Sequence, residues 1–340
     1  MLLSFSKSSL LVVALITGVA VPVQAAVDVY SSRKEALVKP LFDQFTQATG
    51  VQVNLVTGKD DALLKRLQVE GDASPADLLI TADAARLHRA KTGGLIQAVD
   101  SDLLRQVIPA QWRDSDNQWF GLTSRARPII YATDRVDPAN LSTYEALADS
   151  QWQGRICVRS SSNVYNQSLV ASMLAAGDMS NVLESVTGLV NNFARPPAGG
   201  DTDQLRAVAA GQCDVALANT YYLARLARSD KPEDQAVANS LSVFWPNQDG
   251  RGAHFNISGV ALTKSANSQA EAQQLMEFMV SRQAQDWYAQ VNNEYPLVAD
   301  VAVADVLAAF GNAKADTVSM QTLGDLNKKA LMVMDMAGWR

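Results

Sequence analysis

Strand-like and helix-like segments alternate along most of this chain. Residues 51–56 alternate between polar and apolar side chains as a strand does, residues 60–70 have helical spacing, and residues 76–80 form a short apolar run. Parallel strands need a crossover connection, which is usually a helix. The repeated strand–helix units therefore predict an α/β fold with mixed, mostly parallel sheets flanked by helices.

The first unit begins close to the N-terminus. A short strand is predicted at residues 27–30, and an amphipathic helix over residues 33–49 that ends at Gly50. Pro40 lies inside that helical pattern. Because proline cannot donate a backbone hydrogen bond, we expect a kink or a restart of the helix there.

The same order recurs in the second half of the chain. Strands are predicted at residues 155–159 and 214–218, and each is followed by a polar turn. The helices after these turns are predicted at residues 164–176 and 221–228. Residues 269–288 contain few helix breakers and have the pattern of one long helix.

The N-terminal segment is typical of a secretory signal peptide. Lys7 is the only charged residue among residues 1–25, and an apolar run follows at residues 10–20. Val23-Gln24-Ala25 then supplies small residues where a signal peptidase cleaves. The sequence therefore predicts export to the periplasm through a cleaved signal peptide at residues 1–25.

Composition excludes several classes of protein. With 48% hydrophobic and 19% charged residues, the chain is neither a disordered protein nor a polytopic membrane protein. A net charge of −6 argues against a nucleic-acid-binding protein, which needs a basic surface. The 340 residues suit roughly two domains of ordinary size.

The scarce cysteine and histidine residues restrict the possible chemistry. Cys157 and Cys213 are the only cysteines, and in an oxidising compartment such a pair predicts a disulfide bond. His88 and His254 are the only histidines, and no zinc-binding motif is present. Because the chain also has no nucleophile elbow and no P-loop, we do not expect an enzyme.

Tyrosines lie at the ends of the predicted strands. Tyr165 and the pair Tyr221 and Tyr222 each follow a strand and a polar cap, and Tyr30 ends the first strand. Ligands of parallel α/β sheets bind at these strand ends, beside helix N-termini whose dipole favours an anionic phenolate. Phenolates suit a hard cation such as Fe³⁺. The residues alone leave two interpretations open, a metal site and half-buried packing.

Six motifs decide between these interpretations. They are VYSSR at residues 29–33, GLTSRAR at 121–127, RSSSNVYNQS at 159–168, ANTYY at 218–222, HFNISG at 254–259 and NEYP at 293–296. Together they resemble the motifs of periplasmic ferric-iron-binding proteins, the substrate-binding components of bacterial iron(III) ABC transporters. The similarity covers essentially the whole chain after the signal peptide.

This resemblance implies a type-II periplasmic binding protein fold, with a ligand cleft between two lobes. It implies a first lobe formed by residues 26–127 and 252–303, and a second lobe formed by residues 128–251 and 304–340. It further implies a monomer that carries ferric iron to an inner-membrane ABC permease. The alternative is a protein of the same fold that binds another ligand, an oxyanion or a polyamine.

The resemblance also implies the ligand set. Tyr165, Tyr221 and Tyr222 correspond to the iron ligands of the family. The family's first-lobe histidine is absent here, so the resemblance favours members that complete the shell with a synergistic carbonate or bicarbonate held by arginine. Arg125 is the first candidate for that anion and Arg33 the second.

Some nearby residues keep open roles at this stage. Arg127 competes with Arg125, because spacing does not show which side chain faces the cleft. Tyr30 is a candidate fourth ligand, a hydrogen-bond partner of a ligand, or a wall of the cleft. Asp83 is a weaker candidate ligand, and His254 is interpreted as a structural residue near the hinge.

Overall fold

Two β-sheets organise the chain, which a computed structural model describes over residues 25–340. The strands are β1 (Ala26–Ser31), β2 (Gln52–Thr57), β3 (Leu78–Ala82), β4 (Ile96–Gln97), β5 (Phe120–Ala126), β6 (Ile129–Ala132), β7 (Ile156–Cys157), β8 (Val215–Leu217), β9 (Leu241–Phe244), β10 (Phe255–Thr263) and β11 (Tyr295–Pro296).

Helices cover both sheets. They are α1 (Glu35–Thr49), α2 (Asp60–Glu70), α3 (Ala84–Thr92), α4 (Asp102–Val107), α5 (Val164–Ala176), α6 (Met179–Asn191), α7 (Asp201–Ala209), α8 (Thr220–Ala227), α9 (Pro232–Asn239), α10 (Gln269–Met279), α11 (Arg282–Asn292), α12 (Asp305–Ala308) and α13 (Met320–Met336).

The larger sheet has the strand order β11-β5-β10-β3-β1-β2, and β4 also pairs with β10. The smaller sheet has the order β7-β8-β6-β9. We call the larger sheet with its helices the first lobe, and the smaller sheet with its helices the second lobe. Two lobes of mixed α/β structure confirm the predicted fold class.

Parallel pairing is less extensive than the strand–helix alternation suggests. Strand β1 runs parallel to β2 and β3, and β7 runs parallel to β8. The pairs made by β10, β11 and β6 are antiparallel. The strands that carry the chain between the lobes, β5, β6, β9 and β10, make only antiparallel pairs. Both sheets are therefore mixed rather than wholly parallel.

Two strand connections link the lobes. Only residues 127 and 128 separate β5 in the first lobe from β6 in the second, and residues 245–254 lead back from β9 to β10. The C-terminal helix α13 packs on α5 of the second lobe and on α3 of the first. The lobe boundaries at residues 127, 251 and 303 stay a prediction.

The helix predicted over residues 269–288 is wrong, because the structure divides it into α10 and α11. Ser281 adopts an extended conformation and its hydroxyl accepts a hydrogen bond from the Ala284 N–H, so it begins a new helix. Pro40, in contrast, does not interrupt its helix. Helix α1 runs without a break from Glu35 to Thr49, so the predicted restart at the proline does not occur.

The predicted signal peptide, residues 1–25, lies outside the described residues except for Ala25. Within residues 25–340, no helix is both long enough and apolar enough to span a bilayer.

The predicted disulfide bond between Cys157 and Cys213 is confirmed. Cys157 ends β7, and Cys213 stands just before its parallel neighbour β8, so the bond joins the C-terminal end of β7 to the segment that leads into β8. The chain leads from β7 towards α5 and from β8 into α8. The disulfide therefore restrains the two strands that lead to the tyrosine-bearing helices.

Removing this bond should destabilise the protein without changing its ligand chemistry. A Cys157→Ala/Cys213→Ala variant frees a loop of 56 residues, which should lower the free energy of unfolding by about 4 kcal/mol in the chain-entropy model. Denaturant unfolding of the two proteins without reductant measures the difference. A loss below about 1 kcal/mol would contradict the stabilising role given to this bond.

Candidate metal centre

A buried arginine holds the beginnings of two helices together. Arg127 lies in the short connection between β5 and β6, and its side chain is almost wholly inaccessible to solvent. One guanidinium nitrogen, Nη2, donates to Asn166 Oδ1 on α5 at 2.7 Å, and Nη1 donates to Asn219 Oδ1 at 3.0 Å. Asn219 directly precedes α8, so one side chain fixes α5 relative to α8.

A buried carboxylate balances the charge of Arg127. Asp201 Oδ2 lies 3.0 Å from Nη1 of Arg127 and also accepts the backbone N–H of Asn219 at 2.9 Å. Arg159 approaches the other oxygen of Asp201 at 3.5 Å. Arg127 competes with Arg125 as the residue that holds an anion, but these contacts occupy both of its terminal nitrogens, so Arg127 is the weaker candidate.

Three tyrosines meet at the helix ends that Arg127 fixes. Tyr165 lies in the first turn of α5, and Tyr221 and Tyr222 lie in the first turn of α8. The Tyr221 hydroxyl donates to the Tyr165 hydroxyl at 3.3 Å, and the ring centroids of Tyr221 and Tyr222 are 4.3 Å apart. All three side chains line one cavity of about 120 Å³.

Burial raises the pKa values of two of these phenols still further above neutral pH. Desolvation raises the pKa of Tyr221 well above its usual value, and the neighbouring phenols Tyr165 and Tyr222 raise it further. Desolvation, with Tyr165 and Asp201, raises the pKa of Tyr222 to about 12. A bound cation must therefore displace the phenolic protons to use these oxygens as ligands.

Arg125 faces the same cavity with unused hydrogen-bond donors. Its side chain is buried, and Nη1 donates to Ser258 Oγ at 2.7 Å. Within residues 25–340, the buried Nε and Nη2 atoms have no hydrogen-bond partner. Its Cζ atom lies 5.4 Å from the ring centroid of Tyr165. A buried guanidinium with free donors fits an oxyanion bound next to the phenols.

Arg33 lines the cavity too, but its donors are used within the protein. Its two terminal nitrogens bind both carboxylate oxygens of Glu294, at 2.8 and 2.6 Å, and Nη2 also donates to Thr123 Oγ1 at 3.3 Å. Burial favours the neutral forms of both partners, but their mutual attraction outweighs it, so the pKa of Glu294 is lowered. Arg33 is therefore the weaker candidate for holding an anion.

Sequence reasoning missed several residues of the cavity wall. Glu294 was quoted as part of the NEYP motif without a role, although a single acidic residue between polar and aromatic neighbours was an available signal. Other charged side chains on the wall are Lys34, Asp60 and Arg225. The guanidinium carbon of Arg225 lies 4.9 Å from the Tyr221 ring centroid.

The structure does not bring Tyr30 to this cavity. Its hydroxyl donates to both oxygens of the Glu70 carboxylate, at 3.1 and 2.9 Å, and Arg66 stacks over its ring. Tyr30 is not part of the cavity wall, and its hydroxyl contacts Glu70 at the end of α2 instead. These contacts weigh against a fourth phenolate from Tyr30, and its role as a ligand stays a prediction.

Asp83 and His254 also lie away from the cavity wall. Asp83 caps α3, and its carboxylate accepts hydrogen bonds from Ser168 and Asn256. His254 is buried at the second connection between the lobes, where its carbonyl accepts the N–H of Arg127. Burial lowers the pKa of His254 well below its usual value, so the ring stays neutral.

Other donor types do not form a competing metal site. Among the described residues, no cluster of three or more His, Cys, Asp or Glu side chains could hold a metal ion.

Comparison with known proteins identifies the family. Residues 40–315 match the model of the bacterial extracellular solute-binding proteins. The chain belongs to this family. The iron uptake protein A1 of Synechocystis is 47% identical over 317 residues, which is 93% of this chain and 88% of that protein.

Solved structures of the family agree with this assignment. A Trichodesmium protein in complex with iron and citrate ligands is 49% identical and superposes with a TM-score of 0.90, over 93% of this chain and all of that one. A ferric binding protein from Campylobacter jejuni is 39% identical, with a TM-score of 0.89 over 92% and 100% of the two chains. These relatives confirm the predicted similarity to ferric-iron-binding proteins and the type-II fold.

The two buried arginines should differ in what they contribute to stability. Replacing Arg127 by Met removes the buried ion pair with Asp201 and the hydrogen bonds to Asn166 and Asn219, which should lower the free energy of unfolding by about 3 kcal/mol. Replacing Arg125 by Met removes a buried charge that has one hydrogen bond. This substitution should change the free energy of unfolding by less than about 1 kcal/mol.

Denaturant unfolding of the metal-free proteins measures both changes, and each variant serves as the control for the other. Equal losses of stability in the two variants would contradict the division between a structural and a ligand-binding arginine.

Proposed function

We propose that this protein binds ferric iron as its cargo through the phenolate oxygens of Tyr165, Tyr221 and Tyr222. One observation carries the proposal. Three phenols from two helix N-termini line a single small cavity, and Arg125 with free buried donors lies beside them. This pattern supports a trivalent cation together with an anion.

The charges favour ferric iron over a divalent ion. Three phenolates supply three negative charges, which balance Fe³⁺ and overbalance any divalent cation. Phenolate oxygen is also a hard donor, and hard donors prefer small, highly charged cations. Two of the phenols have raised pKa values, so only a strongly polarising cation displaces their protons at neutral pH.

An anion completes this arrangement. Ferric iron takes about six donors, so three phenolates leave about three positions open. Arg33 and Glu294 neutralise each other, whereas Lys34, Arg125 and Arg225 line the cavity without an acidic partner among the described residues. We propose that carbonate or bicarbonate binds to Arg125 and fills two of the open positions.

The cargo then determines the biological role. The Synechocystis relative is named an iron uptake protein, and the Campylobacter one a ferric binding protein. By analogy, this protein carries iron through the periplasm and delivers it, as a monomer, to an inner-membrane ABC permease. Its lobes, at residues 26–127 with 252–303 and 128–251 with 304–340, close around the metal. No catalytic step is needed for this role.

Ferric loading should produce a visible colour. Charge transfer from phenolate to iron gives a broad visible band, and this band should form only when bicarbonate accompanies the iron. Arg125→Ala should weaken loading by roughly tenfold or more, because a charge-assisted bidentate contact is lost, while the band keeps its position. Tyr222→Phe should shift the band, because it removes a ligand.

Absorbance titration with ferric nitrilotriacetate measures these effects, with and without bicarbonate. Arg206→Met, which changes a surface ion pair between α7 and α9, is the matched control for Arg125→Ala. A wild-type protein that stays colourless would reject the phenolate site and favour the oxyanion or polyamine alternative. Equal loading with and without bicarbonate would reject the anion.

Loading should also release protons. Because the pKa values of Tyr221 and Tyr222 lie above neutral pH in the metal-free protein, each phenol loses a proton when iron binds. Binding should therefore weaken as the pH falls. In a weakly buffered solution, Tyr222→Phe should release about one proton fewer per iron than the wild type. The same proton release from both proteins would mean that Tyr222 does not bind as phenolate.

A further inference from the structure

The helix that carries two of the proposed ligands contacts the opposite lobe at its other end. Helix α8 begins with Thr220, Tyr221 and Tyr222 at the cavity, and Arg228 directly follows its last residue. Nη1 of Arg228 donates to the backbone carbonyl of Gln290 and, at 2.8 Å, to Asn293 Oδ1. Both acceptors belong to the C-terminal end of α11.

Helix α11 belongs to the first lobe, because it packs on α1, α10, β5 and β11. Helix α8 belongs to the second lobe, where it packs on α7 and α9. The contact from Arg228 to the end of α11 therefore crosses between the lobes. We call this contact, made by Arg228, Gln290 and Asn293, the interlobe clasp.

The acceptor end of the clasp suits a cation. The last turn of α11 contains no basic residue, so its carbonyl groups and its dipole lack a positive partner within the helix. Asn293 ends the helix in the left-handed conformation, with φ 55° and ψ 47°. This conformation places the Asn293 side chain beside the free carbonyl groups, where Arg228 binds both.

Arg228, which donates the hydrogen bonds of the clasp, has no competing ion pair among the described residues. Among the residues that the structure describes, Arg228 has no acidic partner within 4 Å, whereas Arg206 of the same lobe pairs with Asp234. The hydrogen bonds of the Arg228 guanidinium therefore go to the first lobe alone.

The clasp is also connected to the cavity through the chain. Glu294 follows Asn293, and its carboxylate binds Arg33 at the cavity wall. A shift of the α11 end relative to α8 would thus move both Glu294 and the paired tyrosines. The clasp joins two cavity-forming segments that belong to different lobes.

We propose that Arg228 is a positioning residue that holds the two lobes closed and thereby sets the rate at which bound metal leaves. The identity of the released metal rests on the proposed function, whereas the contact between the two lobes does not depend on it. Arg228 does not line the cavity of the three phenols. It acts by linking the lobe that provides the phenols to the lobe that provides Glu294 and Arg33.

Two measurements test this proposal on the full-length mature protein. In Arg228→Met, iron release to excess citrate, followed as decay of the visible band, should be about five- to tenfold faster than in the wild type. The band position should not change, because no ligand is lost. Arg228→Lys should restore part of the slow release, because its ammonium group can reach one of the two acceptors.

A double-mutant cycle separates the clasp from general destabilisation. Asn293→Gly keeps the left-handed backbone and removes the side-chain acceptor, so its effect should not add to that of Arg228→Met. Arg206→Met is the control and should release iron at the wild-type rate. Fully additive effects, or unchanged release in Arg228→Met, would overturn the proposal.

Small-angle X-ray scattering of the metal-free protein tests the geometry without any cargo. Arg228→Met should have a larger radius of gyration than the wild type, because the lobes separate more often. If the wild type binds no iron, the proposed function is rejected, and the difference in radius of gyration between the wild type and Arg228→Met still tests the clasp. If iron binds and both release and scattering are unchanged in the variant, the clasp alone fails.

Discussion

The buried ion pair between Arg127 and Asp201 is the interaction on which the candidate site depends. Arg127 leaves the first lobe at the end of β5 and binds Asn166 and Asn219 at the starts of the two tyrosine-bearing helices. A guanidinium suits this task because its planar set of donors can bind several acceptors with a fixed geometry. The position of the three phenols relative to one another follows from this single side chain, and the Cys157–Cys213 bond restrains the strands beneath it.

Three arginines of similar sequence context have separate tasks, and the difference lies in their partners. Arg127 binds a carboxylate and two amides, and Arg33 binds Glu294 with both terminal nitrogens. Arg125 has one hydrogen bond to Ser258 and two buried nitrogens without a partner. A buried charge without compensation is unfavourable for folding alone. Its retention at the cavity is understandable if a bound anion supplies the missing acceptors.

The two lobes contribute different parts of the proposed site. The second lobe supplies the phenols, and burial together with repulsion from neighbouring phenols raises the pKa values of Tyr221 and Tyr222. The first lobe supplies positive charge through Arg125 and Lys34, together with the neutral pair of Arg33 and Glu294. Because both lobes contribute to the cavity wall, the proposed function couples cargo binding to lobe closure, and in this proposal contacts such as that of Arg228 with the end of α11 bear on how long the cargo stays.

The sequence by itself predicted the α/β class and the disulfide bond, because periodicity and cysteine number are properties that one chain displays directly. The sequence also placed three tyrosines at predicted helix starts, although only the resemblance to ferric-iron-binding proteins implied that they are ligands. It did not determine the break between α10 and α11, which depends on the cap that the Ser281 hydroxyl makes for the Ala284 N–H. Only the tertiary structure revealed the partners of Arg125, Arg127 and Tyr30. Their neighbours in space, Ser258, Asp201 and Glu70, are at least 40 residues away in the chain, so no local pattern could reveal which guanidinium was left free or which phenol was already bound.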